Sequence, residues 1–406
     1  MSAWPPKADM AVNRLARRDA ACWYNECQAW EKAMTRAMPH TIAVLEAGLH
    51  AKLHVGAQLF VALNGVKEAD IGIGLSAPGK PMKADSMMTW LSCSKIATSI
   101  QFARIWQEGF VDLDDPVKLH LPEFSGAGKD AITIRHVWTH TCALLNVEQQ
   151  LFPVRYNQSH AANIALICAA QIDPGVKPGT RAGYQTSVVA LLLAEIVSRK
   201  RGRDFRDVVR DEVFLPLGMK DSWLGMPAAA IDHYRDRLGQ TFDTSGPEPK
   251  PNSWAPDAPE HLMHLMPGGN GRGPMGELAR LLMLLHRRGT LDGAQILTPT
   301  TVEALTARHR CGMYDKSWGL VLDWSLGLTL DSRMHHAGAS HLYGYGPHSS
   351  PRTFGHSGFR TTTAFCDPDC GLVVACSWNG MTADDTIHSQ RQNALCTAIY
   401  EDLQLT

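Results

Sequence analysis

The two ends of this chain carry the residue pattern of β-strands, whereas its middle carries the pattern of helices. Near the start, the segment AQLFVALNGVKEADIGIG predicts two strands joined at Asn64-Gly65, a residue pair that favours a two-residue hairpin turn. Near the end, the segments WGLVLDWSLGL, FRTTTAFCD and GLVVACSWN predict strands, and a helix follows from about Ser389 to Leu403. This distribution predicts an α+β fold with one antiparallel sheet, flanked by helices and formed by both ends of the chain.

The middle of the chain predicts a large, mainly helical insertion. Two apolar helical segments stand out in it, SVVALLLAEIVSRK and GELARLLMLLHRRG, and a segment rich in Pro, Ser and Asp from Thr241 to Pro259 predicts an irregular surface loop. Residues 9–53 also have helical periodicity. Because 406 residues are many for one compact core, we expect two lobes. Residues 1–115 plus 310–406 would form an α/β lobe and residues 116–309 a helical lobe, with the functional site between them.

Charge and apolar patterning exclude several classes of function. The formal net charge is −1 and the isoelectric point is about 7, without a basic patch or an acidic tail. This balance argues against nucleic acid or a membrane surface as a partner. No run approaches the roughly 18 apolar residues of a membrane span, and the first residues lack a secretory pattern, so we expect a cytoplasmic protein. No metal or cofactor motif is found, and the oligomeric state is left open.

Ser92 and Lys95 lie three positions apart at the start of a predicted helix, in the segment WLSCSKIATSI. Side chains at this spacing share one face of a helix. The free N–H groups of the first turn favour a negative charge on the serine oxygen. A serine needs an adjacent base to become a nucleophile, and a lysine can serve if burial or a nearby cation lowers its pKa. A second interpretation stays open from these residues alone, in which Ser92 caps the helix and Lys95 is solvated.

Several segments together resemble, in order, the sequence boxes of the serine β-lactamase-like superfamily. WLSCSKIATSIQFARIWQEGF resembles its Ser-x-x-Lys box, TIRHVWTHTCALL its Thr-His-Thr-Ser-Gly-Leu segment, and PGTRAGYQTSVVALLLAEIV its Tyr-x-Asn box. FGHSGFRTTTAFCD resembles the third box, which is His-x-Gly in esterase-like members. The resemblance spans about residues 45–400 and is closest to the branch of class C β-lactamases, esterases and D-aminopeptidases, which includes lovastatin-type acyltransferases. It implies the β-lactamase/transpeptidase-like fold.

The resemblance also implies a role for each matching residue. Ser92 would be the nucleophile, Lys95 its general base and Tyr184 a second acid–base group. Because a tyrosine titrates near ~10, we expect Tyr184 to need a cation such as Lys95 beside it. The backbone N–H groups of Ser92 and Phe359 would form the oxyanion hole. The remaining residues expected to line the substrate site are Thr186, His356, Ser357 and Gly358, where a side chain on the glycine would obstruct the substrate.

Three departures from the family pattern bear on the substrate. Thr186 replaces an asparagine that contacts a substrate amide in β-lactamases, and His356 replaces the lysine that many β-lactamases have in the third box. Cys142-Ala143 replaces Ser-Gly, which predicts a reshaped turn. His140, two residues before, is expected to be a structural hydrogen-bonding residue behind the site. These changes leave the acyl-serine machinery in place and argue against efficient β-lactam hydrolysis.

The prediction is therefore a serine hydrolase that forms an acyl-enzyme on Ser92, with a small-molecule acyl donor and water or an acceptor as its partners. A carboxylesterase acting on small-molecule esters is the first interpretation. An acyltransferase that moves an acyl group from a thioester or ester to a small-molecule acceptor in secondary metabolism is the main alternative. A β-lactamase, a D-aminopeptidase and a non-catalytic acyl-binding or sensor protein also stay open.

Overall fold

The computed structural model describes residues 36–252, 259–336 and 344–406. The predicted helical pattern of residues 9–35 and the last part of the predicted loop, residues 253–258, lie outside the described residues. Within the described ranges, no helix is both long and apolar enough to cross a lipid bilayer.

The secondary structure follows the predicted order of strands, a helical middle and strands again. The α-helices are α1 (Pro39–His50), α2 (Ser94–Gln107), α3 (Ile134–Trp138), α4 (Leu145–Leu151), α5 (His160–Ala169), α6 (Val188–Arg201), α7 (Phe205–Val209), α8 (Ala228–His233), α9 (Pro259–Met263), α10 (Met275–His286), α11 (Pro299–Thr306) and α12 (Asp385–Asp402). The strands are β1 (Gly56–Leu63), β2 (Val66–Ala77), β3 (Lys80–Pro81), β4 (Met88–Leu91), β5 (Trp223–Leu224), β6 (Phe242–Asp243), β7 (Lys250–Pro251), β8 (Gly271–Gly273), β9 (Thr290–Leu291), β10 (Ala294–Gln295), β11 (Tyr314–Asp315), β12 (Leu320–Val321), β13 (Thr329–Leu330), β14 (Phe354–Gly358), β15 (Thr362–Asp367), β16 (Leu372–Trp378) and β17 (Gly380–Met381).

One antiparallel sheet joins the two ends of the chain, as predicted. Its strand order is β13-β14-β15-β16-β1-β2-β3, so the first strand pairs directly with β16, from Ala57 opposite Trp378 to Leu63 opposite Leu372. The hairpin between β1 and β2 turns at Asn64 and Gly65, whose φ angles of 53° and 82° fit the predicted turn. The mixed fold with a large antiparallel sheet is confirmed, whereas the division into two lobes stays a prediction.

Helices cover both faces of the sheet because both faces of its central strands are apolar. On β1, Leu59 and Val61 belong to the hydrophobic cluster that includes Leu45 of α1 and Ile399 of α12. The apolar residues of β1 that alternate with these two point to the other face of the sheet, and they belong to the larger hydrophobic cluster that includes the buried face of α10. This alternation is the period of two that strand geometry imposes. The larger cluster also contains α2, which is buried along nearly its whole length.

The segment WGLVLDWSLGL differs from its prediction as a strand. Only Leu320–Val321 is extended, and it pairs with β11 outside the large sheet. Trp324 is fully buried in an irregular stretch and makes isolated bridges with Arg310 and Thr329. An apolar run indicates burial, but it does not distinguish a strand from irregular buried backbone. The helix predicted from about Ser389 begins four residues earlier, behind an Asp384 side chain that accepts a hydrogen bond from the Ile387 N–H.

Candidate active site

A strained turn between β4 and α2 presents Ser92. Leu91 has a φ of 45°, an unusual value for a residue with a side chain, and the pairing of β4 with β8 shifts register just before it. Ser92 lines a cavity, whereas Ser94 is fully buried, donates to the Leu91 carbonyl and accepts from the Gly271 N–H at 2.8 Å. Ser94 therefore holds the turn together, and Ser92 is the serine of this turn that faces the cavity.

Lys95 lies beside Ser92 in a buried position. Its Nζ is 3.4 Å from Ser92 Oγ and 2.7 Å from the carbonyl oxygen of Gly268. Burial is the main cause that lowers the pKa of Lys95 from 10.5 to about 7; the negative charge of Glu148 opposes this shift and the positive charge of Arg155 adds to it. A large fraction of Lys95 is therefore neutral near pH 7, and a neutral amine can accept a proton from Ser92 while it donates to Gly268.

Tyr184 approaches Ser92 from another side. Its hydroxyl lies 2.9 Å from Ser92 Oγ, and Lys95 Nζ is 5.1 Å from the centre of its ring. Burial raises the pKa of Tyr184 well above 10. Lys95 thus lies beside Tyr184, but the effect of burial on the pKa of the phenol is the larger one. The phenol keeps its proton and donates to Ser92, so a chain of donors leads from Tyr184 through Ser92 and neutral Lys95 to Gly268.

A buried ion pair that the sequence did not reveal holds the backbone of Tyr184. The carboxylate of Asp315 accepts from the Tyr184 N–H at 3.1 Å and pairs with Arg310 at 2.9 Å. Both side chains of the pair are at most 1% exposed, and burial lowers the pKa of Arg310 to about 10. Ser317 Oγ donates to the Tyr184 carbonyl at 2.9 Å. No motif marks these positions, because the contact joins segments about 130 residues apart.

His140 has the structural position that the sequence suggested. Its Nδ1 accepts a hydrogen bond from the Gln185 N–H at 3.1 Å, and burial holds its pKa well below 6.5. Its ring packs against Tyr184 and Trp324, with centroid distances of 4.9 and 4.6 Å. The turn that follows keeps a left-handed residue, since Ala143 has a φ of 60° where the family has glycine. Such a conformation costs an alanine about 1–2 kcal/mol.

Strand β14 forms another wall of the cavity. Ser357 and Phe359 line the cavity, and within the described residues the buried Ser357 Oγ has no protein partner. β13 pairs only with Phe354 and Gly355, so the backbone at the end of β14 is an edge on that side. Because the Ser357 hydroxyl lines the cavity without a protein partner in the described residues, it is available for a substrate.

His356 and Gly358 are placed differently from expectation. His356 is 1% exposed, is not among the residues lining the cavity, and packs against Tyr184 and Trp324. Burial lowers its pKa to about 3, so the imidazole is neutral. A Cβ on Gly358 would lie 2.8 Å from the Trp90 carbonyl oxygen. The glycine is therefore required by the approach of β14 to β4, in addition to any need of a substrate.

The approach of β14 to β4 brings Ser92 and Phe359 to the same cavity. Cys93 Sγ donates to the His356 carbonyl at 3.1 Å, which ties the start of α2 to β14. Ser92 and Phe359 both line the cavity. Their assignment as oxyanion-hole donors stays a prediction that this placement permits.

The cavity has a volume of about 270 Å³ and a largely aromatic lining. Its aromatic residues are Phe152, Tyr156, Tyr184, Trp318 and Phe359. Thr186 also lines it, as expected, and Arg155 and Asp385 bring charged groups to the wall. Its size and lining suit a small, mainly apolar molecule.

Away from this cavity, the described residues contain one group that could hold a metal ion, formed by Cys311, Asp323 and His335, whose ligand atoms lie within 4.8 Å of one another. Asp323 already accepts hydrogen bonds from Arg308, His335 and the Gly312 N–H. The nearby Arg308 cation opposes a second positive charge at this place. None of the three residues lines the cavity that contains Ser92.

The comparison with known families decides the relationship of this chain. The sequence profile of the beta-lactamase family matches residues 42–397. The chain belongs to the beta-lactamase family. The match covers every residue placed around the cavity, and it confirms the resemblance to the serine β-lactamase-like superfamily.

Individual relatives within the beta-lactamase family include esterases and a penicillin-binding protein homologue. The esterase/beta-lactamase LipL of Mycobacterium tuberculosis is 24% identical over 353 residues, which are 79% of this chain and 76% of LipL. Esterase EstB of Burkholderia gladioli is 27% identical over 231 residues, 51% of this chain and 55% of EstB. The crystal structure of a penicillin-binding protein homologue from Caulobacter crescentus matches with a TM-score of 0.75 at 26% identity, over 90% of this chain and 97% of that one. With the family match, these relatives make the chain an enzyme of the serine hydrolase/acyltransferase type.

Proposed function

We propose that this beta-lactamase family member is a carboxylesterase that hydrolyses small-molecule esters through an acyl-enzyme on Ser92. The observation that carries the proposal is the position of Ser92 Oγ, 2.9 Å from the Tyr184 hydroxyl and 3.4 Å from Lys95 Nζ, on the wall of an aromatic cavity. A serine placed between a buried amine and a phenol is equipped for nucleophilic attack.

The acylation step uses the low pKa of Lys95. The neutral amine accepts the Ser92 proton while Ser92 Oγ attacks the ester carbonyl, and the carbonyl oxygen becomes an oxyanion that the Ser92 and Phe359 N–H groups would stabilise. When the intermediate collapses, the bond to the leaving alcohol breaks. The proton held by Lys95 passes to that alcohol through the Tyr184 hydroxyl. Tyr184 gives one proton to the alcohol and receives another from Lys95. Because the phenol is never left ionised, the high pKa of Tyr184 does not prevent this transfer.

Deacylation reverses these roles with water as the nucleophile. Water attacks the acyl-serine carbonyl, and its proton returns through Tyr184 to Lys95 and then to Ser92 Oγ as the carboxylic acid leaves. An acceptor alcohol could replace water in this step, which is how a transferase would use the same acyl-enzyme. A product made of free acid in the presence of candidate alcohols supports hydrolysis, and an ester product supports transfer.

Two features of the cavity favour esters over β-lactams. Thr186 offers one hydroxyl where β-lactamases of the family use an amide side chain, and the buried, neutral His356 supplies no positive charge from the third box. We therefore expect activated short-chain esters to have a kcat/KM at least ~10-fold above that of penicillins, a difference of about 1.4 kcal/mol at the transition state.

Covalent labelling tests the nucleophile directly. Ser92→Ala should abolish acylation by p-nitrophenyl butyrate and labelling by a fluorophosphonate, as measured by intact mass. Ser357→Ala is the matched control, since Ser357 lines the same cavity and its hydroxyl has no hydrogen bond to Lys95 or Tyr184 in the described structure. Labelling that persists in Ser92→Ala, or that disappears only in Ser357→Ala, contradicts the proposal.

A further inference from the structure

Arg155 places a buried positive charge on the wall of the cavity that contains Ser92. It lies in the connection between α4 and α5 and is 4% exposed. Its guanidinium carbon is 3.5 Å from the ring centre of Phe152 and 4.9 Å from that of Tyr156. Both aromatic residues also line the cavity, so the cation and its aromatic neighbours form one continuous part of the wall.

The charge of Arg155 has no anionic partner within the described residues. No carboxylate oxygen there lies within 4.0 Å of its guanidinium nitrogens, although the cavity also contains Asp385. Asp385 is paired with Arg360 at 2.7 Å. Glu148, on the preceding helix, accepts from the backbone N–H groups of Ser187 and Val188. The nearby carboxylates are thus committed elsewhere.

Such an arrangement is costly without a ligand. The penalty for burying one ion is larger than the stabilisation that a cation–π contact returns. Nη1 of the guanidinium donates to the Phe152 carbonyl at the end of α4, and the side chain also interacts with the Tyr156 hydroxyl. Neither of these acceptors is an anion, and the remaining nitrogens have no anionic acceptor within the described residues. A guanidinium offers these nitrogens as a planar fork that matches a carboxylate.

We infer that Arg155 binds a carboxylate of the acyl donor, so that the substrates of this enzyme are esters whose acyl group carries a second, free carboxylate. This inference rests on the proposed esterase function, because it names the substrate class of the same site. Ser92 attacks the ester carbonyl while the distal carboxylate pairs with Arg155 on the helical side of the cavity. The positive charge in the cavity comes from the connection between α4 and α5, whereas the third box supplies no positive charge.

A purely structural role for Arg155 predicts a different result. Its bond to the Phe152 carbonyl places a cation at the C-terminal end of α4, where the helix dipole favours one. If this were its whole role, substitution would affect all esters alike. A carboxylate-binding role changes the preference between two esters that differ only in charge.

A pair of nearly isosteric esters separates these roles. One is the p-nitrophenyl monoester of glutaric acid, with a terminal carboxylate, and the other carries a terminal carboxamide in its place. We expect wild-type kcat/KM to be at least about 10-fold higher for the carboxylate ester, since charge-assisted hydrogen bonds are about twice as strong as neutral ones. In Arg155→Gln the ratio of the two values should fall to near 1. Arg155→Lys should retain part of it, because the charge remains and the fork is lost.

The ratio cancels any effect of the substitution that is common to both esters. A wild-type ratio of 1 or less overturns the inference, and so does an equal loss on both esters in Arg155→Gln. Calorimetric binding of the two esters to Ser92→Ala gives a readout that does not need turnover. Preferential binding of the carboxylate ester to Ser92→Ala that is lost on adding Arg155→Gln supports the inference. This holds even if Ser92 is never acylated in the wild-type enzyme. The absence of acylation would refute only the esterase proposal. Equal binding of both esters to Ser92→Ala refutes the inference.

Discussion

Replacing Lys95 by methionine should abolish activity and stabilise the folded protein at neutral pH. Lys95 is 3% exposed, and burial lowers its pKa from 10.5 to about 7. At about 1.36 kcal/mol per pKa unit, this difference means that keeping the ammonium in the folded protein costs about 5 kcal/mol. Methionine fills a similar volume without a charge, but it leaves the Gly268 carbonyl without its donor, at a cost of about 1–3 kcal/mol. We expect a net gain of about 3 kcal/mol in the free energy of unfolding near pH 6.5.

The gain should depend on pH in a defined direction. Below about pH 7, lysine is protonated in both the folded and the unfolded chain, so the full cost of burial is present. Between pH 7 and 10.5 the unfolded chain binds a proton that the folded protein does not, and wild-type stability rises relative to the variant by about 1.4 kcal/mol per pH unit. The advantage of Lys95→Met should therefore shrink steadily over this range, and the lost hydrogen bond should reverse it at its upper end.

Urea unfolding followed by tryptophan fluorescence at pH 6.5, 8 and 9.5 measures this difference. Lys177→Met is the matched control, because Lys177 is exposed and its replacement should give a small change at every pH. A Lys95→Met variant that is less stable than wild type at pH 6.5 would refute the reasoning. A stability difference that stays constant between pH 6.5 and 9.5 would do so as well.

Three further predictions follow from the site. The kcat/KM for ester acylation should rise with pH through a midpoint of about 7 as Lys95 loses its proton, and a flat stopped-flow profile from pH 5.5 to 8.5 would exclude Lys95 as the base. Asp315→Ala should lower the free energy of unfolding in urea by about 3–5 kcal/mol, because Arg310 is left buried without its partner. A decrease below about 1 kcal/mol would contradict this. Gly358→Ala should lower kcat at least about 10-fold by forcing β14 away from the Trp90 carbonyl, and unchanged ester turnover would contradict it.

The sequence alone determined the features that depend on local pattern. The Asn64-Gly65 pair predicted the hairpin, since this turn needs positive φ angles that these residues adopt easily. The spacing of Ser92 and Lys95 predicted neighbouring side chains, because three residues are nearly one turn of a helix. The strand patterns at the two ends of the chain predicted the antiparallel sheet that joins them, and the order of the boxes predicted the family.

Only the tertiary structure decided burial, and burial determines the charge states of the site. The low pKa of Lys95, the high pKa of Tyr184 and the neutral state of His356 all come from desolvation, which depends on what packs around each group. The support of Tyr184 by Asp315 and the placement of the Arg155 charge on the cavity wall depend on segments that are distant in sequence. No periodicity or motif reports such contacts, since they exist only once the chain has folded.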